Sequence, residues 1–134
     1  MKQLMFPLLF LSTTLFAQTS TEHVVRSVAD NIIRKTTFQF VNNKTGEKFA
    51  STRGKDTTNN VKAESKFNKW QYVNGVLTVG MLRLSDALND TKYRDYSKNN
   101  FNFIFDNLDY FKKLFDGGVN PEYRPVFRIG SLDD

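Results

Sequence analysis

The chain has 134 residues, 40% of them apolar, with no cysteine, a single histidine and a formal net charge of +5. That length accommodates one ordinary domain, and the composition excludes wholesale disorder and collagen-like repeats. Without cysteine there is no disulfide, thiolate metal site or cysteine nucleophile. His23 alone cannot build most zinc sites or a multi-histidine mechanism, so no metal and no cofactor is expected.

The first seventeen residues read as a signal peptide, with a buried N-terminal helix as the alternative. Met1-Lys2-Gln3 makes a basic tip, Leu4 to Leu11 is an apolar run broken by Pro7, and Leu15-Phe16-Ala17 places a small residue at the cut. The run is too short for a membrane span, which needs ~20 apolar residues. The expectation is an exported chain, periplasmic or secreted, with residues 18–134 as its mature domain and no membrane attachment after cleavage. Its lysines and arginines are interleaved with acids, which describes a solvated surface of mild cationic bias and, next to that, a site for an acidic ligand. Nucleic acid is a poor fit to an exported chain.

Ser20-Thr21-Glu22 offers caps for an amphipathic helix over 21–36, in which Val24, Val28 and Ile32 with Val25, Ala29 and Ile33 form an apolar stripe made for packing. His23 sits near its cap as a helix-surface residue. Residues 42–66 carry turn chemistry and few large apolar side chains, so they read as a long polar connection. From Trp70 to Leu84 apolar residues cover nearly every direction of a helical wheel, which predicts a helix buried all round. Gly75 and Gly80 cost that helix ~1 kcal/mol each relative to alanine, tolerable where a neighbouring helix or a ligand comes close.

Asn89-Asp90-Thr91 then forms a turn and cap. A helix from Lys92 to about Asn107 carries Ser97, Phe101, Ile104, Phe105 and Leu108 along one side, although Phe101–Phe105 also alternates like a strand. A short helix over 109–115 ends at Gly117-Gly118, and Val119 to Asp134 reads as an extended tail. The class is therefore all-α, with outer, inner and outer helices in succession, as in a toroid of helix pairs.

Two groups could carry chemistry. Trp70, Tyr72 and Asn74 stand at the start of the inner helix, where aromatic faces can stack on sugar rings and an amide can bond hydroxyls; ordinary helix-end packing accounts for them equally well. Asp133-Asp134 reads either as a polar tail or as a pair in which a desolvated carboxyl, raised in pKa, donates a proton.

The segments Trp70–Val76 with Gly80-Met81, Tyr93–Phe101, and Phe127–Asp134 together resemble the opening of an unsaturated rhamnogalacturonyl hydrolase of glycoside hydrolase family 105, a neighbour of the family 88 glucuronyl hydrolases. The resemblance spans about residues 22–134. It implies an (α/α)6 toroid with a central pocket for an acidic oligosaccharide, and hydration of the C4–C5 double bond of a terminal unsaturated uronic acid. Asp134 would then be the first active-site aspartate and proton donor, with Asp133 beside it and Trp70, Tyr72 and Asn74 lining the substrate pocket. That chemistry differs from displacement at the anomeric carbon, so the carboxylate-spacing rule for glycosidases does not transfer. The chain holds only the N-terminal portion of such a toroid. It is expected to be incomplete, inactive and aggregation-prone alone, with an incompletely covered inner helix. The alternatives are an exported helical sugar-binding or interaction module without catalysis, or another toroid enzyme on a different glycan.

Overall fold

The computed structural model describes residues 6–128, with side chains from Thr21 onward. The chain divides into two compact units at Arg34/Lys35. The first is a single helix, α1 (Phe6–Lys35). The apolar residues expected to form a stripe, Val24, Val25, Val28, Ala29, Ile32 and Ile33, all fall on this helix. Arg26 reaches back one turn to Glu22 at 2.8 Å, the spacing at which opposite charges meet on a helix.

The second unit is mostly helical, with α2 (Tyr72–Leu88), α3 (Thr91–Phe105), α4 (Leu108–Asp116) and the single turn α5 (Arg124–Phe127). The polar connection expected over 42–66 is shorter than the sequence suggested. It carries a small antiparallel sheet in the order β2-β1-β3, from β1 (Phe40–Asn42), β2 (Lys48–Phe49) and β3 (Val61–Ala63). Two or three residues per strand leave no period to read. Phe40 faces Phe49 on one side and Ala63 on the other. The β1–β2 turn is closed by Asn42, whose side-chain oxygen accepts from the Lys44 amide at 2.9 Å, and by Gly46 at φ +74°, a left-handed position that suits glycine.

The core forms where this sheet meets α3, α4 and the start of α5. Phe40, wholly buried, stacks on Phe103 at 4.4 Å and lies 5.5 Å from Phe111, whose ring meets Tyr123 edge-on at 4.8 Å. Offset and edge-on contacts of this kind add to the burial of large rings. The remaining loop is tied down by helix-borne polar groups. Asn107 accepts from the backbone amide of Thr52 at 2.7 Å and from its hydroxyl at 2.9 Å, and the Tyr110 hydroxyl accepts from the Thr58 amide at 2.8 Å.

Helix α1 runs through the cap expected at Ser20-Thr21-Glu22, whereas the boundary between α2 and α3 and the end of α4 follow their caps. Asn89 closes α2 in the left-handed conformation and Asp90 accepts from the Lys92 amide to start α3, as the turn Asn89-Asp90-Thr91 predicted. Gly117 and Gly118 end α4, with Val119 donating back to the Leu114 carbonyl at 2.9 Å.

The faces of α2 and α3 correct two expectations. Helix α2 is not buried all round: it turns Thr78, Met81 and Ser85 inward and leaves Val73, Val76 and Val79 more than half exposed. The α2–α3 seam is made close by hydroxyls. Ser97 donates within 3.1 Å of the Thr78 carbonyl and 3.2 Å of the Tyr93 carbonyl, and small hydroxyl residues bring the two backbones together in a way valine would not. Helix α3 accordingly buries Tyr93, Tyr96, Ser97, Asn100, Phe103 and Ile104, while Phe101 and Phe105, expected on the inner side, are exposed.

Candidate functional site

Trp70 lies between the 3-10 turn Lys66–Asn68 and α2, and the turn is held by a set of amides. Asn68, wholly buried, donates its side-chain nitrogen to the Asn100 side-chain oxygen at 2.9 Å, and Asn100 donates in turn to the Phe67 carbonyl at 3.1 Å. Asn74 donates to the carbonyls of Lys66 at 2.9 Å and Lys69 at 2.8 Å. From the other side the Tyr123 hydroxyl donates to the Asn68 carbonyl at 3.0 Å. Apart from the Asn68–Asn100 side-chain pair, each bond uses a backbone carbonyl that an irregular segment would otherwise leave unpaired.

The result is that Lys69-Trp70-Gln71 stands on a fixed base between two adjoining depressions. On one side Lys69, Trp70, Gln71 and Tyr72 form a cleft of about 320 Å³ with Glu122 and Pro125. This lies at the small end of the range for small-molecule sites, about 300–1,000 Å³. On the other side Lys69, Trp70 and Gln71 share a cavity of about 70 Å³ with Asn74, Gly75, Thr78, Asn100, Phe101 and Ile104.

The polar groups of the cleft differ in availability. Among the described residues Lys69 has no ion pair, and the Gln71 side chain makes no cap hydrogen bond, its backbone carbonyl alone accepting from Asn74 and Gly75. Glu122, nearly buried, faces Lys62 of β3 at 3.6 Å. Beside it, burial pushes the Tyr123 hydroxyl far above its ordinary pKa of 10.0, and the Glu122 charge adds to that shift. Tyr123 therefore stays a neutral hydrogen-bond donor. Tyr72 is 81% exposed, and the Trp70 indole meets Phe105 edge-on at 5.8 Å.

Of the residues singled out from the sequence, Trp70 and Tyr72 come together on the cleft, and Asn74 lines the smaller cavity with Trp70. The Asn74 amide nitrogen is already committed to the turn, which makes it a positioning group; its side-chain oxygen is the part left for a ligand. Asp133 and Asp134 lie outside the described residues. Sequence reasoning missed Lys69, Gln71 and Glu122. Lys69 and Gln71 adjoin Trp70 and were legible as its neighbours, whereas Glu122 reaches the cleft only through the packing of Tyr123. Among the described residues no cluster of acids or histidine could hold a metal ion, and no helix is long and apolar enough to cross a membrane.

No known protein family, curated protein or solved structure matches the chain.

Proposed function

We propose that the chain contributes the sugar-stacking wall of a site for acidic oligosaccharides, within an exported glycoside hydrolase of the unsaturated rhamnogalacturonyl type that its sequence resembles. The observation that carries this reading is the cleft in which Trp70 and Tyr72 stand beside the uncommitted Lys69 ammonium. Aromatic rings take the C–H face of a pyranose, and a lysine takes a uronate carboxylate as a point charge. Gln71 and Glu122 supply an amide and an acceptor for ring hydroxyls.

The reaction in this proposal is hydration of a vinyl ether. A carboxylic acid delivers a proton to C4, water adds at C5, and the proton that water loses returns to the carboxylate. The resulting hemiketal opens and the glycosidic linkage is released. Asp134, with Asp133 beside it, is proposed as the acid on the strength of the sequence resemblance. The cleft's part is to hold the uronate by its charge and its face.

Trp70 is the only tryptophan, so tryptophan emission, excited at wavelengths the tyrosines do not absorb, reads this site alone. Titration with an unsaturated digalacturonate should change the emission saturably. Lys69→Met should weaken binding about tenfold, as loss of a charge-assisted contact does. Emission that stays unchanged at millimolar sugar would overturn the reading.

A second reading, an interaction module without catalysis, is favoured by the valines that α2 exposes. It separates from the first by the same titration, since it requires no response to sugar.

A further inference from the structure

Asn74 is the one asparagine of the chain that glycine follows. Such a pair can react with itself, because glycine has no Cβ to shield its backbone nitrogen or to restrain its approach to the preceding side chain. Gly75 is exposed, so solvent reaches the linkage.

Hydrogen bonds hold the pair apart in the folded chain. The Asn74 side-chain nitrogen donates to the Lys66 carbonyl at 2.9 Å and the Lys69 carbonyl at 2.8 Å, which turns the amide toward the 3-10 segment. The backbone amides of Asn74 and Gly75 both donate to the Gln71 carbonyl, at 3.0 and 3.1 Å. Both residues lie in the first turn of α2, and helical ψ at Asn74 must be abandoned before the Gly75 nitrogen can reach the Asn74 Cγ.

We infer that Asn74-Gly75 is a self-modification site held in check by the turn beneath Trp70, and that its reaction permanently marks any chain whose turn has opened. The Gly75 nitrogen gives its proton to solvent base and bonds to the Asn74 Cγ, and the Asn74 side-chain nitrogen leaves as ammonia. Water then opens the resulting succinimide. Breaking the new bond to Gly75 yields aspartate; breaking the original peptide bond yields isoaspartate, with the backbone running through Cγ. One water enters and one ammonia departs, with no change of oxidation state.

Either product keeps the turn from closing again. A carboxylate at position 74 offers the Lys66 and Lys69 carbonyls no donor and repels them. Isoaspartate also adds a backbone atom to the first turn of α2, which breaks its hydrogen-bond spacing. The reaction needs no ligand in the cleft.

The test incubates the full chain at mildly alkaline pH in buffer and in guanidinium chloride above its unfolding midpoint, and follows amide-to-acid conversion of the peptide holding Asn74 by mass spectrometry. Conversion should run at least about tenfold slower in buffer, because it follows the population of opened chains. Tyr123→Phe, which removes the bond from the core to the Asn68 carbonyl, should speed it about fivefold in buffer and leave the denatured rate unchanged. Gly75→Ala introduces a Cβ that meets no atom within 4 Å, so it folds, and it should slow conversion in denaturant. Modified chains, separated by their added negative charge and returned to buffer, should show Trp70 emission at longer wavelength than unmodified ones. Equal rates in buffer and denaturant overturn the protection by the turn, and a denatured rate untouched by Gly75→Ala overturns the route through the Gly75 nitrogen. Identical emission from modified and unmodified chains overturns the lasting opening.

Discussion

The Tyr123 hydroxyl and the Asn68 carbonyl, 55 positions apart and both in residues closed to solvent, are joined by a 3.0 Å hydrogen bond. This bond ties the aromatic core to the turn that presents Trp70. Tyr123→Phe keeps the ring contacts with Phe40 and Phe111 and deletes only the donor, leaving the carbonyl buried and unpaired. The expected cost is about 1–3 kcal/mol, measured as a lower urea midpoint at unchanged slope. A midpoint equal to that of the unaltered chain would show that the carbonyl finds another donor.

Alkaline pH should unfold this protein through its buried tyrosines. Burial raises the pKa of Tyr123 and Tyr96 above 10.0; the Glu122 charge adds to the first shift and a Thr36 hydrogen bond opposes the second. Between the unfolded and the raised folded values the native state holds more protons, so stability falls as pH rises. The loss begins near pH 10, with a slope approaching ~1.4 kcal/mol per pH unit from Tyr123, and Tyr96 adds to it in the same direction. Denaturant midpoints taken from pH 8 to pH 11 should be flat and then decline; Tyr123→Phe should decline less steeply. A flat profile through pH 11 contradicts the burial argument.

Asn74→Ala separates positioning from contact. It removes the donor to the Lys66 and Lys69 carbonyls, at an expected cost of about 1–2 kcal/mol because those groups are partly open to water. Asn74→Asp keeps the shape but offers no donor, so it should fall with alanine in stability. The emission maximum of Trp70 should move in both variants without ligand, since the turn beneath the indole is loosened. A substrate contact alone would leave the ligand-free spectrum where it was.

The exposed valines of α2 predict self-association. Val76→Lys with Val79→Glu places charge on surface that is 54% and 57% exposed, at a cost to folding within about 0.5 kcal/mol. Light scattering at rising concentration should show larger species for the unaltered chain and a monomer for the variant. Identical scattering from the two would mean that this face is not the adhesive one.

Much of the helical order was legible in the sequence because its signals are local. Asn89 and Asp90 between two helices, and the paired glycines at 117 and 118, act through the backbone within a few residues and are found where expected. The orientation of α2 was not legible. Hydropathy puts its valines inside, whereas the contact it makes with α3 runs through Thr78 and Ser97, whose value lies in small size and a hydroxyl placed against a carbonyl. The strands were hidden for a different reason. A strand of two or three residues has no measurable alternation, and Phe40 announces itself only by what surrounds it. At the candidate site Trp70 and Tyr72 were singled out by their chemistry. The cleft also needed Glu122, brought there by the burial of the adjacent Tyr123 ring.

The amide-held turn beneath Trp70 has one more consequence. Because Asn68, Asn74, Asn100 and Tyr123 fix Lys69-Trp70-Gln71 from several directions, the conformational entropy of that segment is lost during folding, before any ligand arrives. A preorganised wall binds with less ordering penalty than a loop that must settle around its guest. Substitutions in the amide set should then show themselves chiefly as faster dissociation, with encounter rates nearly unchanged. In the proposed sugar site, retention of the ligand is then set by the side chains beneath Trp70 as well as by those that face the cleft.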